Sequence, residues 1–168
     1  AKAVELSGGT PDIIHMNELS TKRLQDYHML VVPGGFSFGD DLGAGVLWAL
    51  DLRERFGDAL RDFVESQRPV LGICNGFQTL AKAGVFEDTL LTPERTVTLY
   101  QNENGHFECR WVTLQANPAS ACIFTQGLEL IDCPVAHGEG RVLVKNDATL
   151  KRLEQDNLIW ITLQLPEE

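Results

Sequence analysis

The corner Gly72-Ile73-Cys74-Asn75-Gly76 restricts the fold of this chain more than any other stretch. It connects the apolar run PVLGI to the helix-like run FQTLAKAG without an intervening loop. A chain can turn this sharply only where very small residues flank the turn, which accounts for the two glycines. The G-x-C-x-G spacing matches the G-x-S-x-G elbow, which exposes a nucleophile between a strand and a helix. The sequence therefore predicts a strand–cysteine–helix corner centred on Cys74.

Cys74 is the predicted nucleophile of this corner. The N-terminus of the following helix is electropositive and favours the thiolate form of a cysteine. The backbone N–H of Asn75 would point to the place where an oxyanion forms. A second glycine corner, Pro33-Gly34-Gly35, ends another apolar strand and would supply a second N–H donor if the two strands are neighbours. The alternative is a structural cysteine, since free cysteines are often buried.

Strands and helices alternate in the first half of the chain. PDIIHM, MLVVPGG and PVLGI are strand-like, ELSTKRLQDY suits one or two helical turns, and AKAVEL and FQTLAKAG are helix-like. DLRERFGDALRDFVESQ has apolar residues at helical spacing, namely Leu52, Phe56, Ala59, Leu60, Phe63 and Val64. This alternation predicts an α/β fold with an open, mostly parallel sheet and helices on both faces. In such sheets ligands bind at the carboxyl ends of the strands, where Cys74 is expected.

The second half of the chain predicts antiparallel pairing. RTVTLYQ and HFECRWVTLQ are strand-like and are joined by NENG, a turn sequence, so we predict an antiparallel hairpin. CPVAHGEGRVLV is interpreted as a glycine-broken loop that leads into a strand. DATLKRLEQ predicts a short helix, and LIWITLQL predicts a final strand.

Composition and charge argue against several classes of protein. A formal net charge of −10, spread along the chain, argues against a nucleic-acid-binding protein, which usually carries a basic patch. No apolar run approaches the roughly 20 residues of a membrane span. The four cysteines form no C-x-x-C pair and have no metal-ligand spacing with histidine. They are typical of reduced thiols and, without a secretion signal at the start, they indicate a cytoplasmic protein with no metal site.

Four blocks of the sequence resemble a known family: VVPGGFSFGDDLGAG, PVLGICNGFQTL, GHFECRWVTL and PVAHGEGR. Together they are similar to the glutaminase subunit or domain of phosphoribosylformylglycinamidine synthase. That enzyme is a class I (triad) glutamine amidotransferase with a flavodoxin-like fold. The resemblance implies an enzyme that releases ammonia from glutamine through a cysteine thioester. It also implies a synthetase partner that uses ATP and Mg to convert phosphoribosylformylglycinamide to the amidine in purine biosynthesis, so that this chain needs no cofactor.

The resemblance also implies roles for individual residues of the two glycine corners. Cys74 would attack the side-chain amide of glutamine. Gly35 and Asn75 would offer backbone N–H groups to the tetrahedral oxyanion, and Gln78 would help to hold the substrate. The predicted site is therefore assembled from two strand ends and the first turn of one helix.

The AHGEGR block contains His137 and Glu139, which by resemblance border the glutamine pocket. Their i, i+2 spacing copies the His–Glu pair of a catalytic triad, which leaves His137 open as a candidate base. The family's own His and Glu lie in a late M-P-H-P-E segment that has no counterpart in this sequence.

We therefore expect one glutamine amidotransferase domain over residues 1–168 that lacks the family's first strand and its C-terminal His/Glu segment. Such a chain would be weakly active or inactive on glutamine, while Cys74 would still react with a glutamine-like electrophile. Two other functions stay open. One is a catalytically silent domain that binds the synthetase, and the other is a different cysteine-elbow protein of flavodoxin-like fold.

Overall fold

The computed structural model describes residues 1–164, and the chain divides into two compact units, Ala1–Thr79 and the residues from Leu80 onward. The first unit contains α1 (Lys2–Leu6), β1 (Leu30–Val32), α2 (Val46–Glu65), β2 (Val70–Gly72) and the start of α3 (Asn75–Ala83), with 3₁₀ turns at Leu19–Thr21, Leu24–Asp26 and Ser37–Asp40. The second contains the end of α3, β3 (Val97–Tyr100), β4 (Glu108–Ala116), β5 (Leu130–His137), β6 (Arg141–Val144), α4 (Asp147–Gln155) and β7 (Ile161–Leu163).

The first unit is built on the parallel pair of β1 and β2, which are in register over all three residues of each strand. The helix α2 connects them, and the helical spacing of its apolar residues buries Leu52, Phe56, Leu60 and Phe63. The predicted helix is confirmed. It begins before the predicted stretch, at Val46, directly after Gly45 with its left-handed φ of +74°.

The second unit contains two antiparallel sheets. β3 pairs with β6, and β4 lies between β5 and β7. The hairpin predicted between RTVTLYQ and HFECRWVTLQ is therefore wrong, although both runs form strands. NENG does turn the chain, with the N–H of Gly105 donating to the carbonyl of Asn102. The nine-residue β4 satisfies more of its backbone groups along the eight-residue β5 than it could along the four-residue β3.

Two other predicted elements are also wrong. PDIIHM, residues 11–16, forms no strand, because no strand of the described chain pairs with it and Ile13 is exposed. CPVAH belongs to β5 rather than to a loop, with Pro134 opposite Trp111. A proline is tolerated there because β5 is an edge of the described sheet, where a missing N–H breaks no ladder bond. Residues 138–140 alone turn the chain from β5 into β6.

The remaining elements agree with the sequence. ELSTKRLQDY forms two 3₁₀ turns, and α3 is followed by Gly84 with a φ of +84°. The helix α4 begins after Asn146, whose side chain accepts a hydrogen bond from the N–H of Thr149. β7 lies in the predicted final strand, and the LPEE that follows Gln164 lies outside the described residues.

The predicted α/β class is confirmed. The predicted single, mostly parallel sheet is not seen in the described chain, which has one parallel pair in the first unit and two antiparallel sheets in the second. Within residues 1–164, the structure contains no helix that combines the length and the apolar character needed to cross a membrane.

Candidate active site

Cys74 lies at the turn between β2 and α3, and it is exposed. Its backbone φ is +51°, a left-handed conformation that non-glycine residues rarely adopt. The nucleophile of an elbow is held in this kind of strained conformation, since the sharp turn exposes the side chain beyond the end of the strand. The corner thus has the geometry that the G-x-C-x-G spacing predicts. The role of Cys74 as nucleophile stays a prediction.

Two glycines allow the backbone to pass close to this corner. A Cβ on Gly76 would stand 1.9 Å from the carbonyl oxygen of Val32 and 2.8 Å from that of Pro33, so no side chain fits there. A Cβ on Gly34 would lie 3.1 Å from the Cβ of Cys74. The carboxyl ends of β1 and β2 therefore meet, and the two glycine corners adjoin as predicted.

Gly35 is the next residue of the loop after β1. Its φ of +155° is rarely adopted by residues with a side chain, and open space surrounds the position where its Cβ would stand. Glycine also has no side chain whose packing could orient the peptide. The backbone N–H of Gly35 stays the predicted oxyanion donor, together with that of Asn75.

The side chain of Asn75 is the centre of a hydrogen-bond network at the corner. It is 1 % exposed, and its Oδ1 accepts from the N–H of Ser37 at 3.1 Å and from the Ser37 hydroxyl at 2.7 Å. Its Nδ2 donates to the carboxylate of Asp40 at 3.0 Å and to Oε1 of Gln78 at 3.3 Å. The sequence analysis missed Ser37 and Asp40. The only indication in the sequence that they belong to the site was their position just after the carboxyl end of a buried strand, where ligand sites form.

Gln78 lies in the first turn of α3 and is buried. Its backbone N–H donates to the carbonyl of Cys74 at 3.1 Å. Its side-chain oxygen accepts from Asn75, so Gln78 belongs to the same network as the corner. The contact with substrate that the sequence assigns to Gln78 stays a prediction.

In the second unit, Asn102 fixes the orientation of His137 at the end of β5. Nδ2 of Asn102 donates to the carbonyl of His137 at 2.8 Å, and Oδ1 accepts from the N–H of Gly140 at 3.1 Å. Oδ1 also lies 2.8 Å from Nδ1 of His137. Because Oδ1 can only accept, Nδ1 carries the proton, and Nε2 is the acceptor of the neutral ring. A Cβ on Gly140 would stand 2.3 Å from the ring, so a side chain there would displace the His137 ring from this position.

Glu108 is paired with His137 across β4 and β5. Hydrogen bonds from Asn104 and then from Arg110 hold the pKa of Glu108 below its ordinary value, with a smaller Coulombic contribution from His137. Glu108 is therefore ionised at neutral pH and places a negative charge opposite His137.

Glu139 forms an ion pair with Lys82, near the C-terminal end of α3. Nζ of Lys82 lies 3.0 Å from Oε2 of Glu139, and the side chain of Lys82 is only 8 % exposed. The two residues of the predicted His–Glu spacing thus have different partners, Asn102 for the His137 ring and Lys82 for the Glu139 carboxylate. Their place at the glutamine pocket stays a prediction.

We expect Lys82→Met to lower the free energy of unfolding by about 2 kcal/mol, because the Glu139 carboxylate loses the ammonium group that faces it in a mostly buried setting. Methionine keeps most of the apolar length of lysine, so the change in packing is small. Urea unfolding measures the effect. The matched control is Lys82→Met combined with Glu139→Gln, which removes both charges and should recover at least half of the loss. A single variant as stable as the wild type would contradict this account of the pair.

The four cysteines are free thiols: Cys74 and Cys109 are exposed, and Cys122 and Cys133 are half-buried. Within the part of the chain that the structure describes, no group of three or more His, Cys, Asp or Glu side chains is arranged to hold a metal ion. Cys109 lies on β4, away from any strand-to-helix turn, and is a natural reference thiol for Cys74.

A known protein family matches all the residues that the structure describes. Residues 1–164 match the family of CobB/CobQ-like glutamine amidotransferase domains. The chain belongs to this family. The resemblance to glutamine amidotransferases that the sequence blocks indicated is therefore confirmed.

Two relatives of this chain carry the same name. The protein named phosphoribosylformylglycinamidine synthase subunit PurQ from Dehalococcoides mccartyi is 45 % identical over 143 residues, which cover 84 % of this chain and 56 % of the relative. The protein of the same name from Treponema denticola is 45 % identical over 166 residues, which cover 91 % of this chain and 61 % of the relative. The chain thus spans between 56 % and 61 % of the length of these two curated relatives.

One solved structure is also similar. It is described as the structure of PurLQS from Thermotoga maritima, and the matching chain is 33 % identical with a TM-score of 0.65. The match covers 87 % of this chain and 62 % of that one. Sequence and fold therefore indicate the same group of relatives.

Proposed function

We propose that this chain is a glutamine amidotransferase in which ammonia is released from glutamine through a thioester at Cys74, with weak or no turnover expected from these 168 residues alone. The ammonia would serve the conversion of phosphoribosylformylglycinamide to its amidine, a step of purine biosynthesis in the cytoplasm. The relatives named phosphoribosylformylglycinamidine synthase subunit PurQ support this proposal. The single observation that carries it is the exposed Cys74, held at a φ of +51° at the junction of β2 and α3.

The corner suits the bond changes of this reaction. Sγ of Cys74 attacks the side-chain carbonyl carbon of glutamine, a C–S bond forms, and the carbonyl oxygen takes up negative charge. The backbone N–H groups of Gly35 and Asn75 would donate to that oxygen. The C–N bond then breaks, and the nitrogen takes up a proton and leaves as ammonia. Water hydrolyses the thioester to glutamate and restores the thiol, so the cycle consumes only glutamine and water.

A synthetase partner is the second part of the proposal. Large apolar side chains of the β1–α2 loop and of the elbow are exposed, with 79 % for Phe36, 82 % for Leu42 and 49 % for Ile73. Phe36 directly follows Gly35, and Ile73 directly precedes Cys74. Exposed apolar side chains of this size, when grouped, mark interaction surfaces. We infer that the synthetase covers these side chains and holds the ATP and Mg, so that ammonia is released beside it.

The test of the proposed function is covalent labelling by a glutamine analogue whose side-chain amide is replaced by a chloromethyl ketone. Labelling should saturate with the concentration of the analogue and should be confined to Cys74 in peptide mass spectrometry. Glutamine should slow it, whereas asparagine should protect about 10-fold or more weakly, because its amide is one methylene closer to the backbone. This measurement needs neither turnover nor the partner.

Cys109 is the internal reference for this test, because it is also exposed but lies within a strand. Iodoacetamide, which has no resemblance to glutamine, should label both Cys74 and Cys109. A chloromethyl ketone that labels the two thiols equally, without saturation and without protection by glutamine, would refute the glutaminase proposal.

A catalytically silent domain that binds the synthetase is the second candidate function. It is favoured by the same exposed side chains of Phe36, Leu42 and Ile73, which fit docking without requiring chemistry. The labelling experiment separates the two candidates, because docking alone gives no reason for glutamine to protect Cys74.

A further inference from the structure

The loop between β1 and α2 is held in a conformation that its own residues do not favour. Phe38, Asp40 and Leu42 have φ values of +55°, +56° and +63°, although none of them is glycine. Each non-glycine residue in the left-handed region costs about 1–2 kcal/mol. Such a backbone persists only where the surrounding structure determines it, and it is typical of functional sites.

The loop has backbone hydrogen bonds of its own, such as that from the N–H of Gly43 to the carbonyl of Asp40. The restraint that reaches it from the elbow is the carboxamide of Asn75. Its Oδ1 faces the backbone N–H of Ser37, which can only donate, and its Nδ2 faces the carboxylate of Asp40, which accepts. These two partners fix which end of the amide is oxygen and which is nitrogen. The Ser37 hydroxyl and Gln78 Oε1 take the other two hydrogen-bonding positions, so the full capacity of the amide is used in a buried place.

The geometry of this network connects the two predicted oxyanion donors. Asn75 directly follows Cys74, and Ser37 lies two residues after Gly35. Glycine has no side chain that could fix its peptide, so the direction of the Gly35 N–H depends on how its neighbours in the loop are held. The bonds from the Asn75 side chain to Ser37 and Asp40 are therefore a direct restraint between the Gly35 loop and the elbow.

We propose that Asp40 and Ser37 are positioning residues that, through the Asn75 side chain, hold the Gly35 N–H towards the oxyanion formed at Cys74. They touch neither the substrate nor the reacting thiol in this account. The inference rests on the proposed glutaminase function and adds residues that act behind its oxyanion donors. The bond from Asn75 to Asp40 is charge-assisted, which makes it one of the stronger members of the network.

The test compares two electrophiles on each variant. The Cys74 thiolate adds to the ketone carbon of the glutamine analogue, and the ketone oxygen gains the negative charge. Sulfur then moves to the chloromethyl carbon as chloride leaves, and the C=O bond forms again. Iodoacetamide alkylates the thiolate by direct displacement of iodide and forms no oxyanion. The ratio of the two labelling rates at Cys74 therefore reports on the oxyanion donors, while the iodoacetamide rate alone reports on the exposure and ionisation of the thiol.

Asp40→Ala and Ser37→Ala should each lower the chloromethyl ketone rate at Cys74 by about 10- to 100-fold, because a displaced oxyanion donor loses much of its effect. The iodoacetamide rate should change by less than about threefold, because the thiol stays exposed at the same turn. Asp40→Asn keeps a side-chain oxygen that accepts from Asn75 and should restore most of the chloromethyl ketone rate. A purely structural role would give no such rescue in the ratio of the rates.

Two results would overturn the inference: an unchanged chloromethyl ketone rate in the folded variants, or a parallel fall of both rates. If Asp40→Ala does not fold, Ser37→Ala, which removes one hydroxyl, decides alone by the same criteria. Failure of the glutaminase proposal is seen separately, because the wild-type protein would then show no glutamine-protected labelling. Selective labelling of the wild type with an unchanged ratio in the variants refutes only the positioning role.

Discussion

Gly76→Ala should lower the free energy of unfolding of the protein by more than about 3 kcal/mol. The added Cβ would stand 1.9 Å from the carbonyl oxygen of Val32 and 2.8 Å from that of Pro33. Both are backbone atoms, which cannot rotate away as the end of a side chain could. The helix α3 and the strand β1 would have to separate, and the pairing of β1 with β2 would be disturbed. Urea unfolding followed by circular dichroism measures the loss.

Gly127→Ala is the matched control for this prediction. Gly127 has a φ of +79° but open space at its Cβ position, so the same chemical change there adds only left-handed strain. That strain costs about 1–2 kcal/mol. At Gly76 the situation is reversed. Its φ is not positive, so an alanine there causes no left-handed strain, and the whole cost comes from the steric contact of the added Cβ. A Gly76→Ala variant no less stable than Gly127→Ala would contradict the close approach of α3 to β1.

Cys74→Gly should abolish labelling by the chloromethyl ketone and should also make the fold more stable than Cys74→Ala does. Both variants remove the thiol, so both lose the reaction. They differ in the backbone, because residue 74 has a φ of +51°, where a Cβ is strained and glycine is not. The greater freedom of glycine in the unfolded chain offsets part of this gain, which leaves a difference of about 1 kcal/mol.

The comparison between Cys74→Gly and Cys74→Ala needs only unfolding curves and one labelling experiment. Alanine is the proper reference, because it removes the sulfur and keeps the Cβ. Equal stability of the two variants would argue that residue 74 is not strained, and the elbow interpretation of the corner would fail with it. If the glycine variant is more stable, the cysteine at residue 74 lowers the stability of the fold while it supplies the thiol for the reaction.

The parts of this fold that could be predicted from the sequence are those set by local chemistry. The strand–cysteine–helix corner follows from the two glycines around residue 74, and α2 follows from the spacing of Leu52, Phe56, Leu60 and Phe63. The N-cap at Asn146 is equally local. Each of these features depends on residues within a few positions of one another, so a single sequence contains the necessary information.

Strand partners were not predictable in the same way. RTVTLYQ and HFECRWVTLQ both form strands, yet β3 pairs with β6 and β4 pairs with β5, because pairing depends on which distant strands offer the longest register. PDIIHM has strand-like composition but no partner in the described chain. Composition indicates that a segment can be a strand, whereas pairing decides whether it becomes one.

The corner geometry at Cys74 was predictable from the sequence, whereas the hydrogen bonds that support it were not. Cys74 and Gly35 follow from chain order, because the carboxyl ends of parallel neighbouring strands meet at one edge of a sheet. The hydrogen bonds of Asn75 with Ser37 and Asp40 join residues 35 to 38 positions apart, and they depend on side-chain directions in a left-handed loop. Asn75 was predicted only for its backbone N–H, and nothing in its local sequence indicates what its carboxamide binds.

Pro134 has a consequence for how this protein behaves at high concentration. β5 is an edge of the described sheet β5–β4–β7, and an open edge is a template on which a strand of another molecule can add. Pro134 lies within β5 and has no N–H, so an incoming strand would meet a missing donor inside its ladder. Edge-to-edge growth is thereby disfavoured at β5, the strand that the sequence indicated as a loop. Pro134 has no such effect at β7, the other edge of the described sheet.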